Sequence, residues 1–186
     1  MSQVDLNNVS ATSSLGELGP TTSLQLMFAK LQLELAQTAK TQAMDKMDAI
    51  ASAQDEQKLV SQLLNEARQA KADANSGVGN DKEKTQTYEL PKKDANGNEV
   101  HDAQGNVVYE TVTETVPKGN NATFMSQEMV DYMDAHGLAY DKTGNNHSHS
   151  ADEWDVAITA LESRLEELGT NTQQEMVYVQ DYMGQY

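Results

Sequence analysis

A chain of 186 residues with no cysteine and a formal net charge of −16 has length for one domain or two small ones. It excludes disulfides and Cys-based metal sites. With 13 Lys and Arg against 29 Asp and Glu, nucleic acid and anionic membrane surfaces are poor partners, because both are bound through clustered cations. Hydrophobic residues at 38% and aromatics at 5% are a thin supply for a broad core. They suit long helices that each bury one stripe.

Residues 1–20 are rich in Ser, Thr and Asn and read as a disordered tail. They have neither the basic start nor the apolar core of a Sec-type signal peptide. No apolar run reaches the roughly 18–20 residues of a membrane span. Export would use another route.

Residues 21–75 contain no Gly and no Pro and are dominated by good helix formers. Thr22 or Ser23 is the expected N-cap. Leu24, Phe28, Leu31, Leu35, Ala39, Ala43, Met47 and Ile50 recur at about 3.7 residues, and Val60, Leu64 and Ala67 resume the stripe. One long N-terminal helix is predicted, ended by "NSGVGN" with Asn or Gly as its C-cap. Its first turns, with Leu24, Leu26, Met27, Phe28, Leu31, Leu33 and Leu35, are apolar almost all round and need more than one partner surface. The stretch Ala51–Gln57 is its weak point.

Residues 76–122 change period. "TQTYEL" and "VVYETVTETV" alternate polar and apolar positions, and Asn96-Gly97 between them is a hairpin signal. The near-copies "DANGNEV" and "DAQGNVV" predict a two-turn meander or one long β-tongue, read as a surface device separable from the helices. Residues 123–150 hold a short helix, "SQEMVDYMDAHG", capped by Ser126 and ended by Gly137, and then a loop. Residues 151–186 form the C-terminal helix. Ser150 and Glu153 match a capping box. Trp154, Ile158, Leu161, Leu165, Leu168, Thr172, Met176, Val179, Met183 and Tyr186 recur at about 3.56 residues, close to a coiled-coil seam. Gly169 is a local weakness within one helix. The fold class expected is mainly α: an antiparallel pair of long helices, a coiled-coil-like hairpin, with a short central helix and an inserted β-hairpin tongue.

Signals for chemistry are weak. Asp94, Asn96 and Asn98 have the first spacings of a calcium loop, but the glycine that such a loop needs at its sixth position falls at the fourth, as Gly97, and Gly105 stands at the twelfth in place of Glu, so the stretch reads as a turn. His147, His149 and Asp152 in "HSHSAD" lack an evident fourth zinc ligand and read as a solvated loop. No nucleophile elbow, P-loop or dinucleotide fingerprint occurs. The chain reads as a non-enzyme without cofactor or metal.

In an antiparallel pair, the apolar start of the first helix lies beside the last turns of the second. That end is the expected association surface: Leu24, Met27, Phe28, Leu31 and Leu35 on one arm, and Leu161, Leu165, Leu168, Met176, Val179, Met183 and Tyr186 on the other.

Three segments carry a resemblance. "LQLMFAKLQLELAQTAKTQAMDKMDAIASAQ" is similar to the first long helix of the EspA/SseB-type secreted proteins of bacterial type III secretion systems. "MSQEMVDYMDAHGLAYD" resembles their short central helix, and "DEWDVAITALESRLEELGTNTQQEMVYVQDYMGQY" resembles their C-terminal helix. The likeness covers both helical arms and residues 123–141, but not the tongue. Family members usually continue past the equivalent of Tyr186, which implies that the C-terminal helix is cut short here. The resemblance implies a secreted, extracellular filament or needle-tip subunit on the bacterial surface. It would self-assemble, be held by a cytoplasmic chaperone before export, and connect the needle subunit to the translocon pore proteins. The alternatives are a needle-tip protein of the coiled-coil type, a cytoplasmic coiled-coil chaperone or adaptor, and a metal-dependent binding protein using the His147/His149 loop.

Overall fold

The structure is a computed structural model and describes residues 20–34, 37–143 and 146–184. The expected tail falls almost wholly outside the described residues. The elements are α1 (Pro20–Glu34), α2 (Gln37–Ser76), β1 (Lys84–Pro91), β2 (Tyr109–Val116), β3 (Thr123–Phe124), α3 (Gln127–Ala135), β4 (Ser148–His149) and α4 (Trp154–Gly184). Among the described residues the architecture is mixed: four helices and two small antiparallel sheets, β1–β2 and β3–β4. The long helix α2 packs against α4, broadly compatible with a helical hairpin.

Local chemistry sets most element ends. Pro20 opens α1, at a helix start where its missing N–H is no loss. Thr22 and Ser23, expected as caps, lie inside the helix. α2 ends in a Schellman motif: Gly77 has φ +70°, its N–H donates to Ala74 O, and the Val78 N–H donates to Asp73 O at 3.0 Å. α3 is capped by Ser126 Oγ, which accepts from the Met129 N–H at 3.1 Å. It closes the same way, at Gly137 (φ +63°), with the Leu138 N–H on Met133 O. The capping box before α4 is present. The Ser150 N–H donates to Glu153 Oε1 at 2.7 Å and the Glu153 N–H to Ser150 Oγ at 3.4 Å. Helix α4 runs through Gly169 without interruption.

Contacts divide the chain into two compact units, residues 1–61 with 164–186, and residues 62–163. In the first, one apolar cluster joins Leu24 and Met27 of α1, Ala43, Met47 and Ile50 of α2, and Val179 of α4. A single straight helix would hold Leu24 and Ile50 about 39 Å apart. Instead of the one helix expected over residues 21–75, α1 therefore packs as a helix of its own. Residues 35–36 lie outside the described residues. The order of the contacts makes α2 and α4 antiparallel here: Glu56 pairs with Arg164 at 2.7 Å and Lys46 with Glu175 at 3.1 Å.

In the second unit, the end of α2 runs against the start of α4, tied by Lys71 and Asp155 at 2.5 Å. Leu63, Leu64, Ala67, Trp154, Ala157, Ile158 and Leu161 are buried, as are Met129, Val130 and Met133 of α3. The β1–β2 hairpin is in register from Lys84↔Val116 to Pro91↔Tyr109. Its base is not an independent surface device, which corrects the reading of a separable tongue. Tyr88 is fully buried, its hydroxyl donates to Met125 O at 2.7 Å, and Val116 is 1% exposed. The Gln127 side chain also behaves as an extra strand residue on β1. Its Oε1 accepts the Glu89 N–H at 2.8 Å and its Nε2 donates to Glu89 O at 3.0 Å.

Beyond β1 and β2 the hairpin ends in a three-way junction. The Lys92 N–H donates to Val108 O, the Val108 N–H to Val100 O, and the Val100 N–H to Lys92 O. Two arms leave this ring. Each is closed by an Asx turn in which one aspartate oxygen accepts two backbone N–H groups: Asp94 from Asn96 and Asn98, Asp102 from Gln104 and Asn106. Gly97 (φ +82°) and Gly105 (φ +83°) supply the left-handed residue of each turn. The near-repeat in the sequence is thus a structural repeat.

Core base and exposed tip should separate on mutation. Replacing residues 92–108 by an Asn-Gly turn is expected to leave the thermal midpoint within a few degrees. Tyr88→Ala should cost about 3–5 kcal/mol and Tyr88→Phe about 1 kcal/mol. Urea denaturation of the three variants measures this.

Candidate assembly surface

Most of the residues that the sequence assigns to partner contacts face inward. Leu24, Met27, Leu168 and Val179 are buried in the first unit, and Leu161 is fully buried in the second. Phe28 and Met176 are partly buried against the first unit's cluster, and Leu165 is half-buried. Leu35, Tyr186 and the side chains of Leu31 and Met183 lie outside what the structure describes. Val179 is closed off by α1 and α2 within its own unit, so this part of the C-terminal stripe is internal core.

The side chains left outside sit off the stripe. Val177 is 51% exposed and Tyr178 41%. The Tyr178 ring packs on that of Tyr182 at 5.1 Å, with Lys46 Nζ 5.2 Å from its centre. A stripe at 3.5-residue spacing selects the core face, so it passes over Val177 and Tyr178. Two adjacent exposed apolar residues on a well-formed helix were the available signal. A shallow groove between α2 and α4 in the same unit is lined by Gln54, Gln57, Lys58, Leu165, Gly169 and Gln173. A Cβ on Gly169 would come to 3.4 Å from Gln57 Nε2, an ordinary contact.

The second unit holds a buried polar cluster whose members the sequence left in a loop. His147 and His149 are 5% and 0% exposed, because β4 pairs with β3 (Phe124↔Ser148, Thr123↔His149) and carries them against the hairpin and Trp154 of α4. This overturns the solvated-loop reading. His147 Nδ1 meets Glu114 Oε2 of β2, and the His147 N–H donates to Glu114 Oε1 at 3.1 Å. The Tyr140 hydroxyl donates to Asp134 at 2.7 Å. Burial, and after it the bond to Asp134, push the Tyr140 phenol above its ordinary pKa. Burial does the same for Tyr88, aided by the charge of Glu114. The Trp154 indole N–H donates to Thr123 Oγ1 at 2.8 Å, and that hydroxyl donates to Ala70 O at 2.7 Å.

Among the described residues no group of three or more His, Asp or Glu side chains is arranged to hold a metal ion. The one calcium-like stretch uses Asp94 to accept backbone N–H groups, as a turn does. No described helix is long and apolar enough to cross a membrane. Comparison of the chain with protein-family models, curated proteins and solved structures finds no match.

Val179→Asp places an unpaired charge among Leu24, Met47 and Ile50 and is expected to cost at least about 3 kcal/mol. Val177→Ser with Tyr178→Ser should change stability by no more than about 0.5 kcal/mol. Paired urea melts of these variants distinguish the internal face of α4 from its free face.

Proposed function

We propose that this protein is a secreted structural subunit of a type III secretion filament or needle-tip complex, which assembles through its helical arms and links the needle to the translocon. The reading rests first on the resemblance of three segments in order: a long helix, a short helix ended by glycine, and a C-terminal helix with a seam of coiled-coil period. The first of these segments falls on α1 and the start of α2, the second on α3 and the third on α4. The finer architecture belongs to the same proposal, a coiled-coil-like hairpin in which neighbouring subunits extend the seam.

The observation that carries the reading is the make-up of the first unit. Among the described residues, an apolar cluster of aliphatic and Met side chains, with Phe28 at its edge, is shared by α1, α2 and the last turns of α4. Val177 and Tyr178 stay uncovered beside it. Exposed apolar side chains beside such a cluster would be covered by another copy, and before export by a cytoplasmic chaperone. After export the protein would sit on the bacterial surface, in contact with the needle subunit and the translocon pore proteins.

The test is export. The full chain carrying a C-terminal epitope tag is expressed in a type III-competent strain and in an isogenic strain lacking the export ATPase. The reading expects the protein in the medium of the first strain only. Retention in the cytoplasm of both, bound to a constant partner, would replace it with the chaperone or adaptor reading.

A further inference from the structure

The buried cluster in the second unit contains two histidines in opposite situations. His147 has a carboxylate against Nδ1 and the Tyr140 hydroxyl 3.4 Å from Nε2. His149 is 0% exposed, and neither Nδ1 nor Nε2 has a hydrogen-bond partner among the described residues. Its ring is wedged edge-on against the Trp154 indole at 5.0 Å, with Tyr140 at 6.1 Å. Burying even a neutral imidazole in this way is unfavourable, and burying the cation is far more so.

The charged groups around His149 do not supply an acceptor. Glu153, at the start of α4, takes the Ser150 N–H at 2.7 Å and the Thr143 hydroxyl at 3.0 Å. Asp141 takes the Thr143 N–H at 2.8 Å and shares the single Thr143 hydroxyl proton with Glu153. Glu114 of β2 is engaged by His147. Lys142 lies over the Tyr140 ring at 4.7 Å, and Asp134 of α3 is held by Tyr140.

We propose that His149 is an acid-sensitive latch: protonation of its ring expels β4 from its place against Tyr140 and against Trp154 of α4, opening the second unit while its helices persist. Burial lowers the affinity of the folded ring for a proton, and this outweighs the attraction of Glu153 and Asp141. The sign follows from linkage. Above about pH 6.5 the ring is neutral whether the unit is closed or open, and the latch is shut. As pH falls below that value only the open form binds the proton. The open population then rises by up to about tenfold per pH unit, until the lowered pKa of the closed form is reached.

The experiment follows the full chain from pH 7.5 to 5.0 by hydrogen exchange at the amides of residues 123–125 and 147–149, and by fluorescence of Trp154, the only tryptophan in the chain. Wild type should lose protection at those amides by about tenfold per unit below pH 6.5, with the indole emission quenched or shifted to the red. His149→Leu should remain flat over the same range, while His147→Gln should keep the wild-type slope. A flat wild-type profile, or an equal slope in His149→Leu, overturns the proposal. If His149→Leu does not fold, NMR titration of the His149 ring in wild type decides. A ring that stays neutral in the closed form and titrates only with opening supports the latch. One that titrates at or above pH 6.5 with the packing intact refutes it.

Discussion

The second unit depends on a short relay through Trp154. Its indole N–H donates to the Thr123 hydroxyl, which donates in turn to the carbonyl of Ala70 inside α2. One side chain at the first turn of α4 thereby holds β3 and the last turns of α2 at fixed positions. The β3–β4 pairing then follows, because Thr123 is the register partner of His149, and the His149 ring closes on the same indole. In a chain with one Trp and few other aromatics, this is where a large apolar surface and a directional donor coincide.

A shortage of apolar surface governs the rest. Narrow helical stripes cannot make a wide core, so each unit uses α2 and α4 in antiparallel contact and adds further elements against them. The first unit adds α1; the second adds α3 and the base of the hairpin. Ion pairs between the helices, such as Arg164 with Glu56 and Lys71 with Asp155, contribute little energy where they are exposed, but they are satisfied only in the antiparallel arrangement. The hairpin is built on the same economy. Tyr88 and Val116 at its base are core, while the ring of hydrogen bonds at Lys92, Val100 and Val108 orders a tip that buries almost nothing.

What could be read in the sequence was local. The cap at Ser126, the capping box of Ser150 and Glu153, the glycines that end α2 and α3, and the turns around Gly97 and Gly105 all arise from residues within a few positions of one another. Their chemistry therefore shows without the fold. The stripe of α4 was also legible as a buried face, since Leu161, Leu168 and Val179 are buried. Its assignment to a partner was not, because periodicity distinguishes inside from outside a helix but not what covers it. The separate packing of α1 and the burial of "HSHS" were hidden for a related reason. Both depend on contacts between residues far apart in the chain. A His-Ser alternation before a helix cap looks the same in solvent as beneath a hairpin. Tyr88 was misread along with its strand, because an alternating pattern with few apolar positions does not show that one of them reaches the core.

The central claim is that Trp154 and Thr123 act as one unit in holding the strands to the helices. A double-mutant cycle of Trp154→Phe and Thr123→Val, each variant and the pair measured by urea denaturation, tests it directly. The account predicts a coupling energy of about 0.5–3 kcal/mol, with the double variant less destabilised than the sum of the single ones. Strict additivity of the two substitutions would contradict it.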